Sequence, residues 1–297
     1  MDINCGDGFV FTILPDRCMD IAQTSYMGES LSWISKTGIT APQFYDNKNK
    51  QWLRGFYGGL ITTCGLRQVG SPSTVEGEDF GLHGVISNTP ASNISIDTGW
   101  EGDDYIMKVS GEMRESIVFG ENILLKREIT AKMGGKSLYV RDTIVNEGFS
   151  NEKILQLYHC NFGFPAIDDG AVLKFPKGKI TPVTQNAAEG ADTMQSLHKP
   201  THSYTEQCFF VDFEDNIVFI EIENSNLKNC RGIYMKYDKK QLPCFTLWKM
   251  MGEGDYVVGL EPGLCCPMGR EKSLNKGLAL DLPPFSEYIC ELEIGVI

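Results

Sequence analysis

Apolar and polar residues alternate with a period of two along most of this chain. In "SEYICELEIGVI", residues 286–297, Tyr288, Cys290, Leu292 and Ile294 fall on one side and Ile289, Glu291 and Glu293 on the other, the pattern of a half-buried strand. The same alternation sets Tyr105, Met107 and Val109 against Ile106, Lys108 and Ser110 in "YIMKVSGEM". It continues through "ILLKREITA" and "LYVRDTIVN" on either side of "KMGGKS". Gly134-Gly135 supplies the positive φ of a tight hairpin, and Asn146-Glu147-Gly148 ends the next strand, so the middle of the chain predicts a β-meander. Further strands are expected in "CFFVDF", "NIVFIEIEN", "GIYMKYD", "CFTLWKM" and "YVVGLEP".

Helical periodicity is weak; "NAAEGADTM", residues 186–194, reads as a turn of helix in a loop, and the acidic "VEGEDFG", residues 75–81, as a solvated loop. No repeat, low-complexity tract or long Pro/Ser/Gly linker divides the chain. The expectation is an all-β protein, with one large antiparallel β-sandwich domain over residues 1–297.

Composition adds limits. With 297 residues and 42% hydrophobic positions a substantial core can form. A net charge of -12 and the lack of a basic stripe argue against nucleic acid or an anionic membrane as partner. No apolar run is long enough to span a bilayer. The opening "MDINCGDGFVFTILPDR" has no signal-peptide pattern, so a cytoplasmic location is expected, where ten cysteines serve as small buried hydrophobes. Cys265-Cys266 lacks CxxC spacing, and no metal or other cofactor is implied.

Histidine is the one side chain that ordinarily titrates near neutrality, and the chain has four. His198 and His202, in the polar "QSLHKPTHSY", read as exposed. His83 in "GLHGV" has a glycine two residues before it and one directly after it, which permits a sharp turn and close ligand approach; His159 in "LYHCNFGFP" ends an apolar strand. Both could project into a cavity, and both read equally well as core histidines bonded to backbone. Glu261 follows the apolar run 256–260 and precedes Pro262-Gly263, where burial would raise its pKa and fit it for general-base work; a strand-end glutamate bonded to backbone amides is the plainer reading. Arg17 and Arg270 are candidate ligand clamps, although surface arginines are more common than functional ones. Trp33, Trp52 and Trp248 offer faces for a sugar ring, with core packing preferred for Trp33. Zinc ligation by the two histidines and the glutamate lacks a paired motif on one element.

The segments "LHG", "YHCNF" and "GLEP", in that order, together with "LPDRCMDI", "GGLITTCGLRQVG" and "WKMMGEGDYVVGLEP", resemble the aldose 1-epimerase (galactose mutarotase) superfamily. The likeness is to an uncharacterised branch of it, a domain of unknown function, and covers nearly the full chain. It implies a β-supersandwich whose concave face holds a monosaccharide. Glu261 would remove the anomeric hydroxyl proton, His159 would protonate the ring oxygen, and His83 would stabilise charge there. Rotation and reclosure would then exchange the α and β anomers without a cofactor. By chemistry alone either histidine could be the acid; the resemblance favours His159. It also places Arg17 on ring hydroxyls. Asn161, Trp248 and Arg270 lie beside the matched segments as substrate-selecting groups, and Arg270 leaves room for an acidic or phosphorylated sugar behind a neutral one. Ahead of "LPDR" the chain is shorter than is usual in the branch, so an edge strand can be missing there. A homodimer is compatible with this reading. So is a non-catalytic sugar-binding or sensing protein, or a lyase or carbon epimerase using Tyr26, Tyr57 or Tyr158 as base.

Overall fold

The computed structural model describes residues 1–297. The four strands Ser92–Glu101, Asp104–Ser116, Asn122–Lys132 and Ser137–Asn146 pair in succession, each antiparallel to the last. The last three are the expected meander, with Gly134 at φ 73° in one of its turns; Ser92–Glu101, exposed along almost its whole length, extends it by a strand the sequence pattern did not indicate. The last strand, Glu287–Val296, adds to its open side and leads on to Gly232–Asp238, Ile217–Glu223 and Val172–Lys174, giving eight strands. A second sheet of seven strands runs from Gly178–Pro182 through Gln207–Phe213, Cys244–Met251 and Tyr256–Gly263 to Glu152–Phe162. The last of these also pairs with Thr62–Leu66 and Leu280–Leu282. A four-stranded sheet is built from Asp2–Asn4, Phe9–Leu14, Asp20–Tyr26 and Glu29–Ser30.

Period-two patterning explains the packing. Val140 and Ile144 in one sheet and Phe209, Leu247 and Leu260 in another belong to one apolar cluster of 54 buried residues. The outward positions between them are polar or half-buried, so the chain forms an antiparallel β-sandwich. Glu152–Phe162 is buried on both faces. Ile154, Tyr158, Cys160 and Phe162 face the large cluster, whereas Leu155 and Leu157 join a cluster of seven with Trp52, Phe56, Cys64, Val69 and Cys265. His159 and Asn161 continue that second face.

Charge also ties the sheets together. Arg127, on Asn122–Lys132, donates to Asp142 at 2.8 and 2.6 Å, to Asp20 at 2.7 Å and to Thr63 Oγ1 at 2.8 Å, all fully buried. Tyr158 donates to Asp142 at 2.9 Å. One guanidinium therefore joins all three sheets. Burial still pushes Asp20 up to about 6, with Arg127 and Thr63 opposing the rise.

Two expectations change. "VEGEDFG" is a hairpin, with Ser73–Val75 paired to Glu78–Phe80 across Glu76 (φ 52°) and Gly77 (φ 86°), both left-handed as a two-residue primed turn requires. Arg67 holds Glu78 through bonds of 2.6 and 2.8 Å. The strands carrying His159 and Glu261 do not stop there but run on to Phe162 and Gly263. All ten cysteines are free thiols, and no helix is long and apolar enough to cross a membrane.

Candidate active site

A cleft of about 340 Å³ opens over the seven-stranded sheet, and His83, His159, Trp248 and Glu261 all line it. Strand register assembles three of them. Glu261 is opposite Thr246, and Trp248 is opposite Gly259, which in turn is opposite Asn161 on the central strand. Gly259 is required by close approach, because a Cβ there would lie 2.7 Å from Glu261 Oε1 and 3.1 Å from Trp248.

His159 Nε2 lies 3.2 Å from Glu261 Oε1. Its other nitrogen, Nδ1, is 2.7 Å from Asn161 Oδ1, while Asn161 Nδ2 donates to the carbonyls of Gly59 at 3.1 Å and His159 at 2.7 Å. With Nδ2 committed as donor, Oδ1 accepts, so the Nδ1 proton is fixed and Nε2 is the nitrogen that exchanges a proton in the cleft. Burial lowers His159 to about 4 against the upward pull of the Asn161 bond. Burial raises Glu261 well above the usual carboxylate range, and Glu206 adds to the rise. Both shifts disfavour charge. At 3.2 Å a proton can pass directly between Nε2 and Oε1, so the two groups titrate as a coupled pair.

His83 reaches the cleft from a turn, not a strand end. Its own backbone is left-handed at φ 58°, an uncommon and strained state for a residue with a Cβ. The neighbouring Gly84, at φ 74°, passes so close to Gly65 that a Cβ would sit 2.5 Å from that carbonyl. Burial, then the proximity of His159, lowers His83 to about 3, so it is a neutral imidazole. Its ring packs at a tilt 4.6 Å from Trp52 and edge-on 5.8 Å from His159. Its Nδ1 is buried without a partner, as is the hydroxyl of Thr246 beside Glu261. Both are buried polar atoms left unpaired beside the cleft. Phe56 and Trp248 pack on His159 at 4.9 and 5.2 Å, and Trp248 Nε1 donates to Glu206 at 2.8 Å.

Three of the sequence candidates lie elsewhere. Arg17 is 1% exposed and donates to the carbonyls of Ser87, Thr40 and Gly55 at 2.7, 2.7 and 3.1 Å, over the ring of Tyr57. Every edge of its guanidinium is bound to backbone, so it does not reach ring hydroxyls. Arg270 donates to the carbonyls of Arg67 and Lys153 at 2.6 and 3.0 Å and lies over Phe80. It braces a loop and does not clamp a ligand. Asn161 stands behind His159 and orients it. Trp33 is outside the cleft, while Trp52 lines it. His198 and His202 are exposed. Tyr57 and Tyr158 are fully buried, Tyr26 nearly so, and none lines the cleft. His83, His159 and Glu261 do not form a metal-holding group. Thr246 and Glu206 were missed. Counting by two from Trp248 in "CFTLWKM" finds Thr246, whereas nothing in "SYTEQ" marks Glu206.

The sandwich with this cleft defines a galactose mutarotase-like protein fold. The chain belongs to the family described as a domain of unknown function, DUF4432, whose model matches residues 1–296. A candidate aldose 1-epimerase from Klebsiella pneumoniae is 26% identical over 98% of this chain and 77% of that one, with a TM-score of 0.92. The galactose mutarotase related enzyme of Lactobacillus acidophilus, at 12% identity and a TM-score of 0.68, covers 100% of this chain and 97% of that one. A galactose mutarotase-like protein from Clostridium acetobutylicum, at 13% identity and a TM-score of 0.64, covers 98% and 93%. These last two share the fold. No curated protein matches the chain.

Proposed function

We propose that this protein is an aldose 1-epimerase-like isomerase that interconverts the α and β anomers of a free monosaccharide. The observation that carries the reading is the buried pair of His159 Nε2 and Glu261 Oε1, 3.2 Å apart in an aromatic-walled cleft. Burial of both groups against Phe56 and Trp248 shields their proton from water. In the reactive form His159 is imidazolium and Glu261 carboxylate. Glu261 takes the proton of the anomeric hydroxyl as His159 Nε2 delivers its own to the ring oxygen, the ring C–O bond breaks, and the open aldehyde forms. Rotation about the C1–C2 bond and reversal of both transfers close the ring on the other face and restore the pair. Each proton removed is replaced, so no co-reactant is consumed. Neutral His83 fits as a hydrogen-bond donor near the ring oxygen, and Trp52 and Trp248 offer apolar faces to the C–H side of a ring. Residues 1–297 would act together as one domain.

The test is anomer exchange by NMR across a panel of aldoses, comparing wild type with Glu261→Gln. Acceleration abolished by the substitution, with sugar binding retained, is the expected result. Binding without any acceleration in the wild type would instead mark a sugar-binding or sensing protein.

A further inference from the structure

The cleft does not end at Trp248. A second hollow of about 320 Å³ adjoins it and shares four wall residues with it, Leu53, Phe56, Glu206 and Trp248. Trp33 lies on its far side, 5.9 Å from Phe56 and 6.4 Å from Trp248. Its rim is polar: Lys36 and Asp255 pair there at 2.8 Å, while the hydroxyls of Ser35 and Thr37 are spent on each other and on the Phe56 carbonyl. An aromatic floor under a rim of ammonium and carboxylate groups is chemistry that holds a pyranose ring, with an apolar C–H face below and hydroxyls around its edge. The ammonium of Lys36 is exposed and has donors to spare beyond Asp255.

Each hollow alone is of small-molecule size, from about 300 Å³ upward. A second ring joined to the one over His159 and Glu261 would cross the Phe56–Trp248 saddle. A larger hollow of about 460 Å³ meets the cleft at Phe210, but no tryptophan lines it and its walls are mostly hydrophobic. The indole faces on which a sugar ring can stack lie on the Trp33 side.

We infer that the Trp33 hollow is a second sugar subsite, and that the preferred substrate is a reducing disaccharide whose reducing ring sits on the His159–Glu261 pair. The inference rests on the anomerase reading above. To test it, anomer exchange is measured for glucose and galactose against maltose, cellobiose, lactose and gentiobiose, with wild type, Trp33→Ala and Asp255→Ala. At least one disaccharide is expected to exceed its reducing monosaccharide in kcat/KM by about tenfold, the gain of a single stacked ring. Both substitutions should remove that gain and leave monosaccharide exchange within about twofold. Asp255 is on the open rim, so its variant reports even where loss of Trp33 unfolds the chain. Equal efficiency for all disaccharides and their monosaccharides in the wild type overturns the subsite and leaves the anomerase reading intact. If no sugar is exchanged, that reading fails, and calorimetric titration of the same sugars decides the subsite: disaccharide binding weakened by Asp255→Ala supports it, and its absence refutes it.

Discussion

Asn161→Ala tests the chemistry at its least obvious point. The side chain touches His159 from behind, yet it fixes which nitrogen faces the cleft. Its removal erases three hydrogen bonds, of 2.7, 3.1 and 2.7 Å, and strands an imidazole N–H and two carbonyls in a buried setting. At about 1–3 kcal/mol for each orphaned group, softened by relaxation, the fold should lose about 2–4 kcal/mol and melt roughly 5–10 °C lower. The catalytic effect is separate. Without an acceptor for Nδ1–H, the neutral imidazole of His159 moves its proton to Nε2, facing Glu261, and can no longer take a second proton from it there. Nε2–H then belongs to a neutral imidazole, a far weaker acid than an imidazolium. Loss of effective acid catalysis lowers kcat roughly 100-fold, with KM little changed. NMR of the imidazole nitrogens reads the tautomer, anomer exchange reads kcat, and urea denaturation reads the fold. A folded variant with Nδ1 still protonated and kcat within about threefold of wild type would refute the argument.

Two further predictions concern the frame around the site. Arg127→Met leaves Asp20 and Asp142 buried without their shared cation, so urea denaturation should show a loss of about 3–5 kcal/mol. Adding Asp142→Asn to that variant should recover part of the loss. The Glu115 carboxylate accepts the Leu66 N–H at 2.7 Å and burial pushes it up to about 7 from 4.5. Between those values the folded protein holds a proton that the unfolded chain has released, so this group's contribution to stability falls as pH rises through the window. Glu115→Gln should flatten the stability-versus-pH curve there by up to about 1.4 kcal/mol per pH unit. His83 and His159 slope the opposite way, since their lowered values cost stability as pH falls below 6.5, but they are common to both proteins and cancel in the difference. Parallel curves for the two proteins would count against a half-buried, protonated Glu115.

Three strands of the meander were legible because each carries one apolar face, and a period of two needs no tertiary information to detect; exposed Ser92–Glu101 carries no such face and left no signal. The 73–80 hairpin was not, because Glu76-Gly77 lacks the Asn-Gly signature and its acidic residues look like a solvated loop. His83 and His159 stood out as two of only four histidines, and Glu261 as a carboxylate between an apolar run and Pro262-Gly263. What the sequence could not convey is where carbonyls converge. Arg17 and Arg270 look identical to ligand clamps until Ser87, Thr40 and Gly55, or Arg67 and Lys153, are seen to gather around them from distant parts of the chain. Asn161 likewise reads as a neighbour of substrate, since only the register of its strand reveals that its amide is spent on His159 and Gly59.

The Arg127 network has a consequence for how this site could diversify. Tyr158 reaches it through Asp142, and the next residue along the strand is His159. A slip of one position would bring an imidazole to the carboxylates and turn the phenol toward the cleft, leaving buried charge unmatched. The ion cluster thus acts as a ratchet pawl for the strand, set from the side away from the cleft. Residues lining the cleft bear little of that duty, so they are free to be exchanged for others that fit a different ligand shape while the proton pair stays in place.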